Sequence, residues 1–228
     1  MFHTSEQKTV ILVFAHSAKE EIRRKGISKG LDLFSELNAR ILDEVKKTEL
    51  PYFHLSEELQ TGQTFGQRFA NAIALVFANG FERVIAIGND SPQLKSRHLL
   101  VAEDCLNQGK SVVGPSLDGG FYLLGLKKEH FDKAIFTQFS WQKTSLLREI
   151  TSYLNQLGVF TEKLNYLFDI DSAHDIKLLL KNTFGSIHYK LRGLMASVLS
   201  PIRIDAQQLC NLLRPNHCRL CDLVRGSP

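Results

Sequence analysis

Val84-Ile85-Ala86-Ile87-Gly88-Asn89-Asp90-Ser91-Pro92 is the stretch on which the reading of this chain turns. An unbroken apolar run bounded by turn residues is the pattern of a strand buried on both faces, as in a parallel sheet. The carboxylate of Asp90 then follows the C-terminal end of that strand, where open α/β sheets bind their ligands. Working outward, Val10 to Ala15 is a second continuous apolar run and reads as another buried strand, while residues 16–26 are charged and loop-like. Leu31, Phe34, Leu37, Ile41, Leu42 and Val45 recur at helical spacing and predict a helix over 28–47. Pro51 to Leu55 is a short strand, and Phe65 to Ala78 a helix ended by Asn79-Gly80. A helix over Leu94 to Leu106, strands at Ser111–Val113 and Gly120–Leu126, and helices at 145–157 and 172–181 complete the pattern, with 159–168 partly extended. Strands alternating with helices predict an α/β, three-layer domain with a mostly parallel sheet.

The 228 residues, 43% hydrophobic and 23% charged as in ordinary soluble globular proteins, suit one large domain, or one domain plus an appendage. Six of the 28 basic and two of the 24 acidic residues lie from Phe184 onward, so the net +4 belongs to that tail and residues 1–183 are neutral. The expected division is a main domain over 1–184 and a basic helical extension over 185–228, the latter with short helices at Tyr189–Leu199 and Asp205–Leu213 split by Pro201. With its charge and the apolar run Leu194–Leu199, that extension reads either as a partner- or membrane-surface element or as a helical cap on the domain. No apolar stretch approaches the roughly 18–20 residues of a membrane span, and the polar start, Met1 to Lys8, reads as lacking a signal peptide. Four cysteines do not suggest a disulfide framework, so a reducing cytoplasm is expected. Cys210, His217, Cys218 and Cys221 cluster in the tail, but without a second paired knuckle free thiols are favoured over a structural zinc. No nucleic-acid partner is expected, and the oligomeric state is open.

The second acidic motif, Asp169-Ile170-Asp171, follows Leu167-Phe168 and opens a helical pattern. Asp171 or Ser172 can cap that helix, with Asp175 in its first turn. Capping does not explain Asp169, which would be costly to bury unpaired. Shared with Asp90, the pair Asp169 and Asp171 could hold a hard cation, Mg²⁺ or Mn²⁺, in an oxygen-rich site. Between the acidic motifs lies Gly114-Pro115-Ser116-Leu117-Asp118-Gly119-Gly120. Its paired glycines permit a ligand's close approach to the backbone, or make a plain turn. The helix opened by Gly62 to Arg68 offers an anion site at its N-terminus, with Arg68 as a phosphate clamp or merely a solvated arginine. Lys19, Arg23, Arg24 and Lys25 follow the first strand where phosphates of a nucleotide would lie, though Glu20 and Glu21 beside them equally suit a solvated loop.

These motifs, in this order, resemble the DUF2064 family, also known as rSAM/selenodomain-associated transferase 1, over roughly residues 9–183. The family's Gly-x-Asp-x-Pro-x-Leu matches Gly88 to Leu94. Its Gly-Pro-Ala-x-Asp-Gly-Gly-Tyr-Tyr-Leu-x-Gly-Leu matches Gly114 to Leu126, with Ser116 for the alanine and Phe121 for the first tyrosine. Trp141 to Thr144 stands for its Trp-Ser-Thr, and Asp169 to Ser172 for its Asp-x-Asp-Thr. The resemblance implies a nucleotide-diphospho-sugar transferase fold of the glycosyltransferase-A (GT-A) type, similar to phospholactate and molybdenum-cofactor guanylyltransferases. It also implies a divalent metal on Asp90, Asp169 and Asp171. One segment departs: the family's Lys-x-Pro-x-x-Gly-x-x-Lys-Thr-Arg-Leu loop, expected to meet the nucleotide phosphates, is replaced by His16 to Ile27.

The leading expectation is a metal-dependent transferase, glycosyl or nucleotidyl, acting on a nucleotide-activated donor and an unidentified acceptor. Asp90 and Asp118 are the candidate catalytic residues, Asp118 through a hydroxyl of the acceptor. Lys19, Arg23, Arg68, Gly119 and Gly120 are candidate substrate contacts. The alternative is a catalytically impaired ligand-binding or scaffold protein of the same fold. A phosphatase of the haloacid dehalogenase type is disfavoured, because its nucleophile motif ends the first strand and here the acidic motifs come in reverse order.

Overall fold

The computed structural model describes residues 8–182 and 187–200. Six strands, β1 (Thr9–Phe14), β2 (Tyr52–Leu55), β3 (Arg83–Ile87), β4 (Ser111–Pro115), β5 (Phe121–Lys127) and β6 (Thr161–Lys163), form one sheet in the order β2-β1-β3-β5-β4-β6. β5 runs antiparallel to β3 and β4, and the remaining neighbours are parallel. This reversal has a consequence for the site: β5 begins, at Phe121, on the edge where β1, β3 and β4 end.

The helices are α1 (Ala18–Lys25), α2 (Leu31–Lys46), α3 (Phe65–Ala78), α4 (Ser96–Asn107), α5 (Lys133–Gln138), α6 (Leu146–Gln156), α7 (Ala173–Asn182) and α8 (Tyr189–Leu199). Alternate strand residues point to opposite faces, which divides the core. Val10, Leu12, Val84, Ala86 and Leu124 pack against Phe69 and Ile73 of α3, Phe136 of α5 and Ile150 of α6. Ile11, Val13, Ile85, Ile87 and Leu123 pack against Ile41 and Val45 of α2 and Leu99 and Ala102 of α4. Covered on both faces, these strands have no polar side, which is why they read as continuous apolar runs.

The observed elements follow the sequence reading with two added helices, α1 and α5. Residues 16–26 are not a loop: α1 occupies 18–25. Its only large apolar residue is Ile22, so it shows no hydrophobic period, yet it is capped at both ends. Ser17 Oγ accepts from the Glu20 amide at 3.3 Å, and Gly26 closes the helix at φ 65°. A third apolar cluster joins Leu33, Phe34 and Leu37 of α2 to Ile176 and Leu179 of α7 and the fully buried Leu191 and Met195 of α8. The described part of the expected C-terminal extension therefore covers α2 and α7, as a helical cap would. The expected boundary near Gly185, the helix at 205–213 and the Cys210–Cys221 cluster lie outside the described residues. Among the described residues no helix is long and apolar enough to cross a membrane.

Candidate functional site

A cavity of about 880 Å³ opens at the sheet edge formed by the C-terminal ends of β1 and β3 and the start of β5. Asp90, Asp118, Gly120, Asp169, Asp171, Arg23 and Lys25 line it. The two acidic motifs are tied together through the backbone: the Ile170 amide donates to the Asp90 carbonyl at 3.0 Å. On the β1 side, Asn89 Nδ2 donates to the His16 carbonyl at 3.2 Å and to Asn38 Oδ1 at 2.5 Å, fixing the β1 and β3 loops to each other and to α2.

Lys25 stands at the centre. Its Nζ lies 2.6 Å from the Ile170 carbonyl, 3.0 Å from Asp90 Oδ2, 3.1 Å from Glu21 Oε2 and 3.4 Å from Asp171 Oδ1. Helical i, i+4 spacing brings Glu21 to the same face of α1, where it is buried with its other oxygen 3.3 Å from His16 Nδ1. Burial works against the ammonium, but Asp90, Glu21 and Asp171 outweigh it and hold the Lys25 pKa above its ordinary value. Lys25 is thus a permanent cation. Burial pushes the Asp169 carboxyl up to about 8, with the Asp90 charge adding to it and a hydrogen bond from Ser91 Oγ opposing it. Asp171 is raised too, by burial and by Asp90, with Lys25 pulling the other way.

The capping reading of the second motif holds for Ser172. Asp175 Oδ2 accepts from the Ser172 amide and hydroxyl, each at 2.8 Å, and the Asp175 amide is 3.4 Å from Ser172 Oγ. Asp169 and Asp171 are left for the cavity. All-oxygen donors suit a hard divalent cation in kind. In arrangement, no group of three His, Cys, Asp or Glu side chains among the described residues is gathered as a metal site, and Lys25 Nζ lies between Asp90 and Asp171.

The other candidates divide. Asp118 faces the cavity but also makes the turn of its loop, accepting from the Gly120 amide at 2.9 Å. Gly119, at φ 91°, meets protein rather than open space: a Cβ there would lie 2.5 Å from the Thr144 carbonyl oxygen. Arg23 is exposed, pairs with Glu20 at 2.6 Å and borders the cavity. Lys19 is exposed and is not part of the lining. Arg68 lies at a second cavity of about 540 Å³ with Leu55, Asn71 and Lys133, apart from the aspartates. The N-terminus of α3 is a capping box made by Thr64 and Gln67.

Sequence reading missed Glu21 and did not single out Lys25 from its basic neighbours. A signal existed in Ser17-Ala18-Lys19-Glu20, a helix-start signature, from which the i, i+4 pair Glu21 and Lys25 follows. It also missed the aromatic end of the cavity. There Trp141 lies with ring centroids 5.3 Å from Phe65, 4.9 Å from Phe69 and 6.1 Å from Phe121.

Residues 8–143, more than half of the chain, match the model of the family described as "Uncharacterized protein conserved in bacteria (DUF2064)". No curated protein matches the chain. Among solved structures, one from Desulfovibrio desulfuricans G20, provisionally described as a nucleotide-diphospho-sugar transferase, superposes with a TM-score of 0.71. It is 20% identical and the match covers 83% of this chain and 97% of that one. The 4-diphosphocytidyl-2C-methyl-D-erythritol synthase of Anaerococcus prevotii DSM 20548 gives a TM-score of 0.44 at 11% identity, over 76% of this chain and 95% of that one. The first of these likenesses establishes the nucleotide-diphospho-sugar transferase fold.

Proposed function

The chain belongs to the DUF2064 family, and from the site its fold builds we propose that it transfers a glycosyl or nucleotidyl group from a nucleotide-activated donor. One observation carries the reading: Asp90, Asp169, Asp171 and the cation Lys25 meet in a single cavity at the carboxyl edge of the sheet, the place where this architecture takes its ligands. The volume, about 880 Å³, suits a nucleotide-sized ligand.

Asp90, Asp169 and Asp171 would hold a divalent cation, Mg²⁺ or Mn²⁺. When bound it supplies neutralisation of phosphate charge and stabilisation of the leaving pyrophosphate or nucleotide. Arg23, Arg24 and Lys25 border the cavity and would orient the donor phosphates as point charges and forks. Trp141 and Phe121 offer flat apolar surface to a ring. Asp118, which lines the cavity, would accept a hydrogen bond from a hydroxyl of the acceptor. Transfer to such a hydroxyl needs positioning and charge neutralisation more than a strong base.

A second reading, a protein that binds the nucleotide without turning it over, is favoured by α1. A helix stands where the resemblance puts a phosphate-binding loop, and the Ser17 amide and hydroxyl at its start already donate to the Glu57 carboxylate. The test is a thermal-shift screen of nucleoside di- and triphosphates and nucleotide sugars with and without Mn²⁺, followed by product analysis of the ligands that stabilise. Stabilisation with turnover supports the transferase; stabilisation without it supports the second reading. No shift with any nucleotide and metal together rejects both.

A further inference from the structure

We propose that Lys25 is the resident counter-ion of the site and that its ammonium and a divalent cation exclude each other from Asp90 and Asp171. The inference rests on the metal reading above and adds to it a competition internal to the chain.

An ammonium carries three N–H donors. Four oxygens surround Lys25 Nζ, at 2.6, 3.0, 3.1 and 3.4 Å: it donates hydrogen bonds to the Ile170 carbonyl and Asp90 Oδ2 and pairs as an ion with Glu21 and Asp171. Two of those oxygens, Asp90 Oδ2 and Asp171 Oδ1, belong to candidate metal ligands. Mg²⁺ approaches carboxylate oxygens to roughly 2.0–2.1 Å. An ion bridging the same two oxygens would lie in the space that Nζ fills, and two like charges cannot share it.

Lys25 also has a place to go. Its remaining partners, Glu21 Oε2 and the Ile170 carbonyl, are not among the three aspartates. Glu21 sits on α1 itself, buried beneath the lysine. Displaced from Asp90 and Asp171, the ammonium stays tethered at the cavity wall with donors freed toward the lumen. Metal occupancy and a free cationic donor for the phosphates of a nucleotide would then arise together, and without metal the site neutralises itself.

The full chain, stripped with EDTA, is titrated with Mn²⁺ and binding is followed by water-proton relaxation, for the wild type and for Lys25→Met. Removing the competitor leaves every molecule binding-competent, so Mn²⁺ affinity should rise about tenfold or more, and the melting shift at saturating Mn²⁺ should exceed that of the wild type. In a parallel arm on the wild type, reductive dimethylation read by mass spectrometry should label Lys25 poorly in EDTA and faster with saturating Mg²⁺. Equal or weaker Mn²⁺ binding by Lys25→Met overturns the competition while leaving the metal reading intact. Absence of Mn²⁺ binding by both proteins overturns the metal reading and the competition with it. If the variant does not fold, the labelling arm decides: Lys25 labelling unchanged at Mg²⁺ concentrations that raise the melting temperature overturns the proposal.

Discussion

Replacing Asp169 by Asn should make the protein more stable at alkaline pH and leave it nearly unchanged in acid. The folded carboxyl is pushed from an ordinary 3.8 up to about 8, by burial first and by the neighbouring Asp90 charge second. Between those two values the unfolded chain releases the proton while the folded chain keeps it, so folding stability falls as pH rises through that window and is flat beyond it. The full gap from 3.8 to about 8 corresponds to about 6 kcal/mol. That figure is a ceiling, since the Lys25 ammonium beside Asp90 and Asp171 offsets part of the repulsion. Asparagine is never charged and its Oδ1 can still accept the bond from Ser91 Oγ that Asp169 accepts. We therefore expect Asp169→Asn to gain about 2 kcal/mol or more over the wild type near pH 9, and nothing near pH 4. Urea unfolding followed by circular dichroism, in EDTA, across that range measures both. Parallel stability curves for the two proteins, or a variant weaker at high pH, would refute the reasoning.

Three further outcomes follow from packing. Met195→Ala, which empties a fully buried site between α8, α2 and α7, should cost roughly 2–5 kcal/mol by urea unfolding; a loss under half a kcal/mol would mean that α8 is not part of the main cooperative unit. Gly119→Ala puts a side chain at φ 91° and against the Thr144 carbonyl oxygen, so a cost of roughly 1–3 kcal/mol and faster proteolysis of residues 140–145 are expected, whereas wild-type stability would show that the turn can re-form without glycine. Gly66→Ala places a methyl into the indole of Trp141, the single tryptophan; its emission should shift to the red, and an unchanged spectrum would contradict the close contact.

What could be read from the sequence depended on whether the cause was local. β1 and β3 declared themselves because both faces are covered, and α2, α3 and α6 because their apolar faces repeat with the helical period. The loop between β4 and β5 offered a turn at Asp118-Gly119 as one of two readings, and β5 does run antiparallel to β4. α1 was invisible to hydrophobic periodicity because its sequence, AKEEIRRK, is held by caps and ion pairs instead. The nearness of Asp90 to Asp169 and Asp171 was guessed from their chemistry. The position of Lys25 between them was not, since its partners lie 65 and 145 residues away. Arg68 was placed correctly at a helix start, but nothing local to it says which cavity that start borders.

These same facts bear on how an anion would be recognised here. A helix N-terminus is ordinarily the place for a phosphate, because free amides and the dipole converge on it. At the start of α1 that place is taken: the Ser17 amide donates to Glu57 Oε2 at 2.7 Å, and the Ser17 hydroxyl donates to the other oxygen of the same carboxylate. The basic residues Arg23, Arg24 and Lys25 gather instead in the last turn, where cations complement the dipole, and it is this end that borders the cavity. An anion bound at α1 would therefore meet side-chain charge rather than backbone amides. Charge of that kind can be moved, paired and released. Under the competition proposed above, Lys25 would leave Asp90 when a metal binds, a movement that a fixed backbone amide cannot make.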